Sequence, residues 1–329
     1  MPNLMLTNRC NFKCNYCFGM DWMENNHVPD MTKETFIDII NWYENKPHRD
    51  RTIHLMGGEP TLHKDFIWMT DYLLDKKINV WIFTNLATKF SPKIADVYKD
   101  VPLKWVVNVN PPEFRTDKEN DYLYKSLEIL GKNVTLTLNI LPSLTSIDWI
   151  IDLIFKYNLS KKIKIGFALP TLSFKNEHLA DNEYAVVANK VVDYAKYCKN
   201  FNISFDYECG IPWCSFTEAQ LGELWSYGSK LFSTCNSILD ITTDGKVIYC
   251  LPLSKMLAVH YSDFTDYPSA KDWFEQKFSM YRPMGTTDNC FDCILMKCGA
   301  CRGGCLARIL KGINNLNINT KDYAEQNIL

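Results

Sequence analysis

Cys10-Asn11-Phe12-Lys13-Cys14-Asn15-Tyr16-Cys17 is the stretch on which the rest of the chain depends. Its three cysteines stand at C-x3-C-x2-C spacing, shortly after the apolar residues Leu4-Met5-Leu6. Thiolates on one tight loop can converge on a single inorganic centre, and iron–sulfur clusters are held by cysteines at such short spacings. Three thiols are one fewer than a [4Fe–4S] cluster needs for full coordination by protein, so one iron is left free to bind something else. The alternatives are a zinc loop or three buried thiols. Zinc sites usually combine two closely spaced cysteine pairs into four ligands. Here His27 is the next candidate, ten residues on.

Working outward, apolar runs rich in β-branched and aromatic residues alternate with helical segments. Strands are expected at about 3–7, 52–56, 79–84, 104–109, 133–140 and 162–168, and helices at about 32–45, 64–76, 91–99, 120–131, 146–157 and 181–199. Thr32-Lys33-Glu34-Thr35 and Ser91-Pro92 read as helix starts, the second with proline in the first turn. Strands alternating with helices imply parallel βα units. Six units are too few for a closed eight-stranded barrel, so the fold class is α/β, a partial (β/α)6 TIM-like barrel left open. Ligands in such folds bind at the carboxyl ends of the strands. The cysteine loop follows the first strand. Met56-Gly57-Gly58-Glu59-Pro60 follows the second, with two glycines that let backbone approach a ligand and a carboxylate that can accept from an ammonium.

Together these residues resemble the radical S-adenosylmethionine (radical SAM) enzymes. The resemblance implies that Cys10, Cys14 and Cys17 hold a [4Fe–4S] cluster whose fourth iron is chelated by the amino and carboxylate groups of SAM. Tyr16 matches the aromatic that precedes the third cysteine in that family. Gly57, Gly58 and Glu59 match its Gly-Gly-Glu motif, which binds the SAM amino group. Strand three ends in Phe83-Thr84-Asn85-Leu86, where relatives often have glycine in place of Leu86. Strand four ends in Val107-Asn108-Val109-Asn110, where relatives often show Ser-x-Asp-Gly. Asn108 can replace the serine as a hydrogen-bonding group, but Asn110 cannot supply the charge of an aspartate. Asn139, in strand five, is a further polar candidate for the cofactor. For each asparagine a strand-end cap is an equal reading.

The later cysteines are clustered too. Glu208-Cys209-Gly210-Ile211-Pro212-Trp213-Cys214 is a constrained loop in which each cysteine is either a ligand or a buried thiol. Cys235-x9-Gly245-x4-Cys250 reads as strand, Asp-Gly turn and strand, which brings its flanking cysteines together. Cys290, Cys293, Cys298, Cys301 and Cys305 then place five thiols within sixteen residues. This region resembles the SPASM extension of radical SAM enzymes, which carries auxiliary [4Fe–4S] clusters. It departs from that pattern in its altered interval, in Cys298, and in having no cysteine after Cys305. One auxiliary cluster is expected on Cys290, Cys293, Cys298 and Cys301. Another is expected on Cys235, Cys250 and Cys305, with Cys214 or an open iron as the fourth position. A shortened extension with a single cluster is the rival. The expected organisation is a barrel over 1–170, a bridging region over 171–230 and a SPASM/twitch-like domain over 231–329.

Length and composition bound the function. The 329 residues, 47% of them hydrophobic, suffice for one full domain and a smaller one. A formal net charge of −2 gives no basis for a nucleic acid or anionic membrane partner. No apolar run has the length of a signal peptide or a membrane span. Thirteen cysteines without a secretion signal read as metal ligands in a cytoplasmic protein rather than as disulfides. By resemblance, the activity is reductive cleavage of SAM to a 5′-deoxyadenosyl radical and oxidative modification of a substrate, with an electron donor such as a flavodoxin or ferredoxin. The expected substrate is a ribosomally made peptide. Dehydrogenation of a small molecule is the alternative, and an iron–sulfur electron carrier without SAM chemistry is a second. Only nine residues precede Cys10, so no N-terminal leader-binding module is expected. No catalytic acid or base is named: Asp206, Glu208 and Asp244 read as solvated or turn residues.

Overall fold

The computed structural model describes residues 1–23, 28–47, 51–173, 175–229, 231, 233–235 and 237–315. Residues 316–329, the end of the expected third domain, lie outside the described residues. Seven strands run parallel: β1 (Asn3–Met5), β2 (Thr52–Met56), β3 (Asn79–Thr84), β4 (Lys104–Asn108), β5 (Val134–Ile140), β6 (Lys162–Phe167) and β7 (Ser204–Tyr207). Each is joined to the next by a crossover, five of them built on the helices Lys33–Glu44, Phe66–Asp75, Ser91–Val97, Asp117–Leu130 and Asp148–Lys156. The sixth, between β6 and β7, is built on Tyr184–Asn200. Along β5, β6 and β7 apolar and polar residues alternate, Val-Thr-Leu-Thr-Leu-Asn-Ile in β5, so that polar side chains such as Thr137 and Asn139 reach the cavity in the barrel interior while the apolar ones are buried. Asp148–Lys156 shows how a helix is recruited: Ile150, Ile151, Leu153 and Ile154 are buried while Asp152 and Phe155 face outward.

The six expected strands are present, and the parallel run continues past them. β7 pairs in register with β6, Ile163 opposite Phe205, so residues assigned to a bridging region complete the sheet. The Asp-Gly turn forms as expected between β8 (Asp240–Ile241) and β9 (Lys246–Ile248), and β10 (Ala258–His260) adds antiparallel to β9. This hairpin is not separate from the barrel. β8 pairs parallel with β1, giving one sheet in the order β10-β9-β8-β1-β2-β3-β4-β5-β6-β7. Asn3 secures the join. Its Nδ2 donates to Asp240 Oδ1 at 2.6 Å, and its Oδ1 lies 2.8 Å from His54 Nδ1 on β2.

The segment that follows β7 meets the segment that precedes β8. A methyl group on Gly210, just after β7, would stand 3.0 Å from the Thr234 carbonyl carbon and 3.1 Å from the Cys235 nitrogen, just before β8. Gly304 closes the same seam from a third segment. It forms a parallel bridge with Thr234, donates to the Ser233 carbonyl at 2.8 Å, and leaves only 2.7 Å between a would-be methyl and Pro212 Cδ. Among the described residues no helix is long and apolar enough to cross a membrane.

Candidate active site

The cysteine loop is anchored by an extension of the β1–β2 pairing. Past the strands, Gly58 N–H donates to the Thr7 carbonyl and Glu59 N–H to the Arg9 carbonyl, both at 2.8 Å. A methyl group on Gly57 would stand 2.5 Å from the Thr7 oxygen, and one on Gly58 would stand 2.4 Å from the Arg9 oxygen. The backbone that the two glycines admit is therefore that of the stem of the cysteine loop. Side chains hold the loop from the β3 side: Asn85 Nδ2 donates to Asn11 Oδ1 at 2.9 Å, and Asn11 Nδ2 to the Ala87 carbonyl at 3.3 Å. Leu86, where relatives often have glycine, is fully buried with φ +51 and so takes the left-handed conformation itself.

Cys10, Cys14 and Cys17 line one cavity of about 210 Å³ inside the barrel. Tyr16, Gly57, Gly58, Glu59, Asn108 and Asn139 line the same cavity. Burial pushes the Cys10 thiol up to about 12, and negative charge on Glu59, Cys14 and Cys17 pushes the same way. Burial likewise takes Cys17 to about 11. Thiols whose ionisation burial opposes, as at Cys10 and Cys17, need a cationic centre to become thiolates, and bound metal deprotonates them. No three described His, Cys, Asp or Glu side chains close tightly enough to hold a single metal ion. Three thiols on one loop lining one cavity are the donor set of an iron–sulfur cluster with one iron left open, whereas a structural zinc takes four ligands.

Glu59 is fully buried and its carboxylate is heavily engaged. Its Oε1 accepts from Thr61 N, Thr61 Oγ1 and Thr84 Oγ1 at 3.1, 2.6 and 2.6 Å, and its Oε2 accepts from Asn85 N at 2.7 Å. Burial still raises its pKa. The carboxylate thus ties the ends of β2 and β3 together behind the cavity. The Tyr16 hydroxyl donates to Asn110 Oδ1, and Asn110 Nδ2 points at the Cys14 sulfur, 3.8 Å away. Asn110, unable to replace an aspartate's charge, instead steadies the cysteine loop. Asn139 lies across Gly166 of β6, where any side chain would collide with its Oδ1 at 2.4 Å.

One residue overturns its expected role. Glu208 follows β7, lines the cavity, and is neither in a turn nor on a solvated face. Its nearest cation is Lys164, 3.8 Å away, and burial raises its pKa against that charge. Asp206 and Asp244 behave as expected, paired with Lys162 at 2.5 Å and Lys246 at 2.8 Å. Glu208 would have been found by placing β7 inside the barrel, since it then falls at the carboxyl end of a strand.

Among the remaining cysteines, one group lies deep in the molecule. Cys235, Cys250 and Cys305 share a deep region with Cys209: negative charge on Cys305 and Cys235 adds to burial in raising both Cys209 and Cys250 well above a normal thiol, and burial takes Cys305 to about 12. Burial, with negative charge on Cys290 and Cys301, raises the pKa of Cys214, the candidate fourth ligand for that set. Burial would raise Cys290 too, but the Thr287 hydroxyl at 3.5 Å and Thr286 N–H at 3.4 Å hold its thiol below the ordinary value. Cys301 Sγ accepts from Gly303 N–H at 3.4 Å. Cys293 and Cys298 bracket the short helix Ile294–Lys297. Cys298 is exposed, its thiol 3.6 Å from the Leu295 carbonyl.

Residues 4–142, which include every cavity residue expected to bind cluster or SAM, match the sequence profile of the Radical SAM superfamily. The radical SAM cyclopropyl synthase TigE of Paramaledivibacter caminithermalis is 26% identical over 345 residues, spanning 95% of this chain and 69% of that protein. The uncharacterized protein MJ0907 of Methanocaldococcus jannaschii is 30% identical over 223 residues, 60% of this chain and 73% of its own. Streptococcus suis SuiB bound to its precursor peptide SuiA superposes with a TM-score of 0.63 at 17% identity, over 94% of this chain and 72% of SuiB. On the profile match, these relatives and the shared fold, the chain belongs to the radical SAM superfamily.

Proposed function

We propose that this enzyme binds SAM against a [4Fe–4S] cluster held by Cys10, Cys14 and Cys17 and oxidatively modifies a peptide, with auxiliary clusters on its C-terminal cysteines in a SPASM-like region. The single observation that carries the reading is the convergence of Cys10, Cys14, Cys17, Tyr16, Gly57, Gly58, Glu59, Asn108 and Asn139 on one cavity. When bound, the cluster supplies the electron that splits SAM into methionine and a 5′-deoxyadenosyl radical able to take a hydrogen atom from substrate. The chain's own residues do the rest. Asn108 and Asn139 offer amide groups to SAM at the ends of neighbouring strands. Phe12, Phe18, Trp22 and Phe83 exclude water from the space where a reactive radical must survive. Glu208 is the anionic group within reach of a substrate, placed to hold a cationic or N–H group.

The peptide is favoured by the company the chain keeps: a cyclopropyl synthase along nearly its whole length and a peptide-bound enzyme of the same fold. The test is anaerobic incubation of the reconstituted enzyme with SAM and dithionite. The expected product is 5′-deoxyadenosine, and Cys14→Ala is expected to abolish it. Zinc in place of iron at the N-terminal loop would refute the reading. Mass change on candidate peptides in the same reaction separates a peptide-modifying enzyme from a small-molecule dehydrogenase.

A further inference from the structure

The seam between the segment after β7 and the segment before β8 gathers thiols from four separate segments. Cys209 follows β7, Cys235 precedes β8, Cys250 follows β9, and Cys305 opens the last helix. Backbone contacts fix three of them. Gly210, next to Cys209, lies against Thr234 and the Cys235 nitrogen. Gly304, next to Cys305, bridges Thr234 and packs on Pro212. Gly304 has φ +73, a conformation that leaves glycine as the residue to use there. Cys250 is joined to the others by Arg282. Its Nη2 donates to the Cys235 carbonyl at 3.0 Å and to the hydroxyl oxygen of Tyr249 at 2.6 Å. Ser237 adds a bond from its hydroxyl to the Tyr249 carbonyl. Cys209 and Cys250 are partly buried and pack against the main hydrophobic core.

We infer that Cys209 is the fourth protein ligand of the auxiliary cluster on Cys235, Cys250 and Cys305, making that cluster fully thiolate-bound. The inference rests on the proposed auxiliary clusters and deepens them. A cluster with every iron bound to a cysteine offers no coordination position to a substrate. The one open iron of the proposed scheme is then at the N-terminal loop.

The test uses the full chain with Cys10, Cys14 and Cys17 all changed to Ala, so that iron signals arise from the C-terminal thiols alone. After anaerobic reconstitution with iron and sulfide, iron per chain and the electron paramagnetic resonance (EPR) spectrum of the dithionite-reduced protein are compared with and without imidazole. Cys209→Ala in that background is expected to give an imidazole-dependent shift that the parent lacks. Cys209→Ser, which keeps size and a weaker ligand atom, should retain iron with an altered spectrum. Cys198→Ala, a buried thiol on Tyr184–Asn200 away from the seam, should change nothing. Parent-like iron and spectrum in both Cys209 variants, with no response to imidazole, overturn the assignment alone. Absence of iron from the parent overturns the auxiliary clusters themselves and the assignment with them.

Discussion

At the scale of single residues, the site is built from backbone fit as much as from chemistry. Gly57 and Gly58 give the tightest case, because an added methyl would strike a carbonyl oxygen at 2.5 or 2.4 Å with no flexible side chain to yield. Gly58→Ala is expected to push the Arg9 end of the cysteine loop outward and cost about 1–3 kcal/mol. A lowered thermal midpoint with reduced iron uptake, read by calorimetry and iron analysis, checks this. Tyr16→Phe removes one hydroxyl and leaves Asn110 Oδ1 without its donor. It should keep the iron content and slow 5′-deoxyadenosine formation, whereas a fall in iron would mean the hydroxyl is needed for the loop itself. The cysteines and Gly-Gly-Glu were legible in the sequence because spacing is a local property. Glu208 was not, because a carboxylate beside a cysteine carries no sign of burial until its strand is placed. The engagement of Glu59 was equally hidden, since its donors come from Thr61 and from Thr84 and Asn85, about 25 residues on.

At the scale of elements, hydrophobic runs marked six strands and their helices to within a few residues. The helix expected at 120–131 starts at Asp117, because Thr116 and Glu119 form a reciprocal capping box ahead of the apolar pattern. β7 escaped notice as barrel because it has four residues, and the docking of β8 on β1 escaped because its partners are 237 residues apart. That junction has a pH dependence. Asp240 is buried between Asn3 and the Leu251 N–H, and burial pushes its carboxyl up to about 7 despite both hydrogen bonds. In the unfolded chain it ionises near 3.8. Between these values the folded state holds a proton that the unfolded state has lost. Stability from this group is therefore full below about pH 4 and declines as pH rises toward 7. Asp240→Asn should flatten the difference in melting temperature between pH 5 and pH 8. An unchanged slope would show that Asp240 is ionised in the fold. Asn3→Ala should cost about 1–3 kcal/mol by leaving buried partners on β8 and β2 unsatisfied.

At the scale of the whole molecule, barrel and cysteine-rich region are one sheet, and a radical chemistry site and a second set of thiols share its frame. Six parallel strands could be read from sequence, but the junction between the segments after β7 and before β8 could not, because it depends on close backbone approach at Gly210 and Gly304 rather than on any pattern along a strand. Iron binding should therefore register globally. A ligand that binds only the folded state stabilises it in proportion to its occupancy, so the reconstituted protein is expected to melt well above protein stripped with a chelator. A loss confined to the C-terminal residues in hydrogen exchange would contradict a shared sheet.

The three-segment crossing at Gly210, Thr234 and Gly304 has a consequence for how the polypeptide matures in a cell. Its last partner is translated some seventy residues after Thr234, so a nascent chain spends that interval as an unfastened cylinder. Chains released before that last segment docks should be the ones that proteases cut between the seventh and eighth strands.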